Sequence, residues 1–282
     1  MRGGQNLPRE PPVDRAKTPD LAALDPAAVR AAIRAGGWTG ITAGLAPGFV
    51  QANLVVLPAS DAYDFLLFCQ RNPKPCPLLE VTDPGDPHPG RVARGADLRT
   101  DLPQYRIFRQ GTPAGEARRI TDLWREDFVA FLLGCSFTFE AAMQRAGIPV
   151  RHLDERHNVP MYISSVMCRP AGTFAGPMVV SMRPVPAGLI SQTVQVTARS
   201  PLAHGAPIHI GDPAEIGIHD LSRPDFGDAV TVHDGEVPVF WACGVTPQVA
   251  AREARPDIMI THAPGHMFIT DLRDEDLEGD PR

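Results

Sequence analysis

The 282-residue sequence has no excess of positive charge, no long apolar run and no paired cysteine motif, and each shortage excludes a class of function. Lys and Arg number 27 against 33 Asp and Glu, a formal net charge of -6, so no global field draws the chain to a phosphate backbone or an anionic bilayer. Nucleic acid and membrane are therefore not expected partners. No apolar stretch approaches the roughly 20 residues that span a bilayer, and the segment from Met1 to Pro12 lacks the apolar core of a secretory signal. Residues 1–19 read as a flexible leader and the protein as cytoplasmic. The five cysteines (Cys69, Cys76, Cys135, Cys168 and Cys243) are an odd number without a C-x-x-C zinc pairing, which suits free thiols in a reducing compartment. Neither a Walker loop nor a dinucleotide glycine fingerprint occurs, so no nucleotide cofactor is expected.

What is present is a globular composition, 43% hydrophobic, with 30 Pro and 25 Gly falling between apolar segments. Asp25-Pro26 reads as an N-cap followed by proline at the first helical position, opening a helix that stops at Gly36-Gly37. Asn53 to Leu57 reads as a strand closed by Pro58, with Ser60-Asp61 capping a helix through Phe68. Pro77 to Val81 and Tyr105 to Phe108 read as further strands. From Asp122 the apolar spacing suits a helix reaching Gly134, and a second from Phe139 to Gly147. After Pro149 come short strands, Tyr162 to Val166 and Met178 to Met182, a helical stretch from Ala187 to Arg199, and Ile208 to Ile210. Val237 to Ala242, Gln248 to Arg255 and Ile258 to Ile260 read as one βαβ unit. Such a unit would set the turn at Cys243 to Thr246 beside the loop His262 to His266, at the edge of a parallel sheet. The pattern predicts an α/β protein of two lobes, a three-layer αβα lobe with mostly parallel strands over residues 20–149 and a smaller two-layer α/β lobe over 150–272. The same lobes interleaved along the chain are the alternative, and residues 273–282 read as an acidic, solvated tail.

Seven blocks run in order through the sequence: Gly40 to Gly48, Cys69 to Leu78, Gly134 to Phe137, Asn158 to Tyr162, His204 to Pro213, Phe240 to Gln248 and Thr261 to Met267. In these blocks, and over about Pro26 to Leu272, the chain resembles the hydro-lyase family whose characterised relatives include D-glutamate cyclase. The resemblance implies a two-domain α/β fold and a small carboxylate or amino-acid substrate. It further implies interconversion of D-glutamate with 5-oxo-D-proline, water leaving in the cyclising direction; the alternatives are a metal-assisted hydratase or dehydratase of another small carboxylic acid and a non-catalytic small-carboxylate-binding protein. No catalytic residue comes with it.

Cyclising an amino dicarboxylate needs a base for the amine, an oxyanion site, an acid for departing water and a clamp on the α-carboxylate. The turn Gly244-Val245-Thr246 offers N–H groups where a helix starts, either an oxyanion site or an ordinary cap. His262 and His266 flank Pro264-Gly265 on a loop, and His204, His209 and Asp212 make a second polar cluster; each histidine could move protons or merely satisfy buried backbone. Read instead as a metal site, these five side chains supply suitable ligand types at spacings that match no metal motif, so no metal is expected. Cys135 and Cys243 could be nucleophiles or packing residues, and Ser136 sits at the same helix break as Cys135. Arg169 and Arg183 could clamp a carboxylate or form ordinary surface ion pairs, and Asn158 and Tyr162 could position a substrate. Asp225 and Asp228 could act as bases or shape their turn. Homo-oligomerisation is compatible with the sequence but is read from no residue.

Overall fold

The structure, a computed structural model, describes residues 24–277; the leader expected over residues 1–19 lies outside them. In chain order the elements are α1 (Pro26–Arg34), β1 (Phe49–Pro58), α2 (Ala59–Arg71), β2 (Leu78–Val81), β3 (Tyr105–Arg109), β4 (Thr112–Ala117), β5 (Phe128–Gly134), α3 (Phe137–Arg145) and α4 (Arg151–Glu155). They continue with β6 (Met161–Met167), β7 (Pro177–Pro186), α5 (Ile190–Ala198), β8 (His209–Ile210), β9 (Glu236–Ala242), α6 (Thr246–Ala254), β10 (Ile258–His262) and β11 (Phe268–Arg273). The first helix starts as its sequence predicts: Pro26 opens it and the Asp25 carboxylate accepts the Ala28 N–H at 2.8 Å. Among the described residues no helix is long and apolar enough to cross a membrane.

The fold is mixed α/β, but the expected parallel strands are not found. One sheet runs β2-β5-β1-β10-β3-β4 with β11 also on β1, the other β6-β7-β9-β8, and every pairing between these strands is antiparallel. The presumed βαβ unit fails because β9 and β10 belong to different sheets, with α6 carrying the chain from one to the other. The first sheet thus takes strands from both ends of the described chain, and the second takes those between residues 161 and 242.

The segment ending at Gly134, expected as a helix, is strand β5, and the reason is burial on both faces. Phe128, Ala130 and Leu132 enter one hydrophobic cluster, Val129, Phe131 and Leu133 another on the opposite face. The central strand β1 divides in the same way, Leu54 and Val56 to the first cluster and Val55 and Leu57 to the second. A strand covered on both sides is an unbroken apolar run, which periodicity alone does not separate from a helix. Two smaller expectations also change. Ser60-Asp61 does not cap α2; the Ser60 hydroxyl donates to the Asp61 carboxylate instead. Of the expected tail, Arg273 ends β11 and Asp274 to Leu277 form a 3-10 turn that buries Leu277.

Phe131 packs edge-on against Phe65 at 4.9 Å between centroids and is almost fully buried. Phe131→Ala is expected to lower unfolding free energy by about 3–5 kcal/mol in urea titrations; a loss under about 1 kcal/mol would contradict this account of the second core.

Candidate functional site

Where the two sheets meet, the polar groups are buried and mutually paired. Arg183 on β7 is fully buried, and its guanidinium donates to the Glu140 carboxylate through both Nε and Nη2. It also donates to Ser136 Oγ at 3.0 Å and Ser181 Oγ at 3.2 Å, and lies over the rings of Phe139 and Trp241. His152 Nε2 stands 3.1 Å from the same Glu140 oxygen, close enough for ion pairing though off hydrogen-bond alignment. Burial alone would raise the Glu140 carboxyl, but His152 and Arg183 outweigh it and hold the group below the usual carboxylate range. The carboxylate clamp expected of Arg183 is therefore spent on the protein's own Glu140, and Ser136 is spent on Arg183.

Alongside, the turn before α6 is closed. Thr246 Oγ1 donates to Cys243 O at 2.7 Å and accepts from Val179 N at 3.0 Å, and the Thr246 N–H also returns to Cys243 O. A Cβ on Gly244 would come within 2.1 Å of the Asn53 carboxamide, so this residue must be glycine for β1 to pass so near. Of the expected oxyanion site, the Thr246 amide and hydroxyl are thus paired within the protein. Cys135, Cys243 and Val245 share one buried apolar cluster, and burial raises both thiols, Cys243 to about 11. Both are neutral packing groups near pH 7.

On the outer side of that cluster, through Phe226 and Met267, opens a cavity of about 420 Å³. Its walls include Arg106, Glu116, Asn158, Asp225, Pro264 and His266. Arg106 and Glu116 face each other across the β3–β4 hairpin and form an ion pair at 2.9 Å, while Arg106 Nη1 reaches Gln248 at 3.4 Å. His266 is half-buried; its Nδ1 lies 3.2 Å from Pro264 O, and the Ala263 and Thr39 carbonyls also approach the ring. Burial lowers its pKa, so the ring is neutral around pH 7. Gly265 has φ +86°, and a Cβ there would strike the Asn158 carboxamide at 2.6 Å, which fixes the loop that carries His266. Asn158 Nδ2 donates to Pro264 O at 3.2 Å and its Oδ1 is buried without a donor.

The remaining candidates disperse. His262 is buried on β10 with Nδ1 against Leu54 of β1, its pKa lowered to about 4 by burial. It stays close to α6, since Gln248 Nε2 donates to its carbonyl at 3.0 Å, but it does not line the cavity. His204 binds Lys74 O at 2.6 Å, and His209 binds Asp212 O at 2.8 Å with its ring against Phe240. The Asp212 carboxylate caps the following 3-10 turn through Ala214 N. The five side chains weighed as a metal site thus lie in separate places, and among the described residues no group of three or more His, Cys, Asp or Glu is placed to hold a metal. Arg169 is exposed, with its backbone paired to Asn72 on both sides. The Tyr162 hydroxyl donates to Leu221 O at 2.8 Å within a hydrophobic cluster. Asp225 lines the cavity while accepting the Ile163 N–H, and Asp228 accepts the Asn158 N–H. Sequence reading missed Arg106, Glu116 and Glu140. A two-residue turn at Gln110-Gly111 signals the hairpin, but its plain register would set Arg106 opposite Gly115.

Comparison with known proteins brings a family model described as D-glutamate cyclase onto residues 129–271. A protein named "Putative hydro-lyase" in Stutzerimonas stutzeri is 61% identical over 254 residues, 90% of this chain and 96% of that one. A Geobacillus kaustophilus protein of the same description is 64% identical over 88% of this chain and 94% of its own. In Bacillus subtilis, a protein named "Putative hydro-lyase YcsI" is 60% identical over 90% of this chain and 99% of its own. Among solved structures, a nitrogen repressor-like protein from Methanococcus jannaschii aligns over 82% of this chain and 89% of its own at a TM-score of 0.37 and 13% identity, too distant to carry an argument.

Glu140→Gln removes the counter-charge of a fully buried guanidinium and is expected to cost about 3–5 kcal/mol of stability at pH 7 in urea unfolding. Because the folded-state carboxyl is held low, its contribution is complete above the unfolded value near ~4.3 and lost as pH falls through the folded value. The gap between wild type and variant should therefore narrow in acid; a gap that widens there would contradict the pairing.

Proposed function

This chain belongs to the D-glutamate cyclase family of hydro-lyases, and on that premise we propose that it interconverts D-glutamate and 5-oxo-D-proline in the cavity beside His266. The observation that carries the proposal is the convergence of a guanidinium, a carboxylate, a carboxamide and a neutral imidazole on one cavity of about 420 Å³, within the range of small-ligand sites.

Cyclisation forms a bond between the α-nitrogen and the γ-carboxyl carbon and breaks one γ carbon–oxygen bond. Two protons leave the ammonium nitrogen, and two end on the departing oxygen as water. His266 Nε2 takes a proton from the ammonium, making the nitrogen nucleophilic, and returns it to the leaving oxygen. Arg106 binds a substrate carboxylate: Glu116 and Gln248 occupy part of its donor fork and leave N–H groups on both terminal nitrogens. Asn158 holds the His266 loop in place through Pro264. These groups supply base, acid and clamp without a metal or organic cofactor, and the five buried free thiols suit a reducing compartment.

Purified protein incubated with either compound should release the other, followed by chiral chromatography, with a chelator making no difference. His266→Gln should lower kcat by about a hundredfold or more, whereas Arg106→Gln should act mainly by raising KM. With the His266 pKa lowered by burial, kcat/KM should hold through neutrality and fall only as pH drops below about 6.5, the ordinary histidine value. No turnover in either direction would overturn the proposal.

A further inference from the structure

A second cavity, of about 510 Å³, lies between the loop after α2 and the turn at residues 201–206, and it shares no lining residue with the cavity beside His266. Its walls are braced from both sides. The His204 ring donates from Nδ1 to Lys74 O at 2.6 Å, and Lys74 Nζ donates back to Ala206 O at 2.7 Å, so the two segments are stitched by reciprocal hydrogen bonds. Cys69, Cys76, Pro77 and Leu202 make much of the remaining surface apolar.

Two groups give this apolar space a chemical preference. Lys74 stands exposed at the rim and spends one of its ammonium hydrogens on Ala206, leaving the others for an anion. His204 is 1% exposed and lines the cavity. Its partner at Nδ1 is a carbonyl, which fixes the hydrogen on that nitrogen, and among the described residues Nε2 has no hydrogen-bond donor. Burial lowers the ring's pKa to about 4, so Nε2 keeps its lone pair at neutral pH. An acceptor on a cavity wall with no protein donor can take one from a ligand or from water.

We propose that this cavity is a second binding site, for a compact organic carboxylate with an apolar body and one N–H or O–H donor. The carboxylate meets Lys74 Nζ and the donor meets His204 Nε2. The inference does not rest on the reaction proposed above, because it uses none of the same residues.

Pyrrole-2-carboxylate carries all three features and serves as the probe, titrated calorimetrically into the full-length protein. Saturable binding is expected, with one equivalent of it retained in Arg106→Gln protein, where the cavity beside His266 is weakened. The methyl ester, which lacks the charge, should bind about tenfold more weakly, and cyclopentanecarboxylate, which lacks the N–H, about three- to tenfold more weakly. Measured in the Arg106→Gln background, which leaves this site intact, Lys74→Met should weaken the acid about tenfold. Loss of all binding in Arg106→Gln protein would place the acid beside His266 and overturn the proposal. So would equal binding of acid and ester, a comparison that holds even if a variant fails to fold, and so would the absence of binding at millimolar probe.

Discussion

The ion pair between Arg183 and Glu140 fixes how the two sheets meet. Arg183 belongs to the second sheet, while Glu140 stands on α3, the helix that leaves the first. Neither charge has access to bulk water, so each depends on the other, on Ser136 and Ser181, and on the flanking rings of Phe139 and Trp241. Separating the sheets would strand a charge in an apolar core, at a cost no surface contact could offset. Asn53 packed on Gly244 repeats the constraint sterically, since the contact exists only while β1 and the turn before α6 keep their distance.

That fixed junction explains why the proposed chemistry lies at its margins. Groups drawn into the centre are consumed by one another: Ser136 by Arg183, the Thr246 hydroxyl by Cys243 and Val179, Cys135 and Cys243 by apolar packing. The histidines grade in the same direction. His262 and His204 are nearly inaccessible and lowered to about 4, one tying β10 to β1 and the other bracing a loop. His266 sits at an opening, neutral but able to take up a proton, beside the cross-strand pair of Arg106 and Glu116. Poised acid–base groups are more useful there than in a sealed core.

Much of this was legible in the residues and some could not be. Asp25-Pro26 announced α1 because a cap and a proline act locally. Of the expected closeness of the Cys243–Thr246 turn to the His262–His266 loop, the structure shows a contact from Gln248 within α6 to the His262 carbonyl, and α6 bridges two antiparallel sheets instead of crossing over one parallel sheet. Strand direction is decided by long-range pairing, which a βαβ-like order of segments does not encode. β5 was mistaken for a helix because its run from Phe128 to Leu133 is apolar at every position, the mark of a strand with a core on each face. Arg106 and Glu116 were hidden by a register shift between Ile107 and Phe108, which places Glu116, and not its neighbour, opposite Arg106. For Arg183 the sequence leaves a carboxylate clamp and a surface ion pair both open, and only the packing shows a buried pair with Glu140.

The most direct test of the central claim is a crystal structure with 5-oxo-D-proline bound. The account predicts the ligand in the cavity of the His266 loop, its carboxylate on Arg106 and its lactam ring within hydrogen-bond reach of His266 Nε2. Density for the ligand at Cys135 and Cys243, or beside Lys74 and His204 alone, would contradict it.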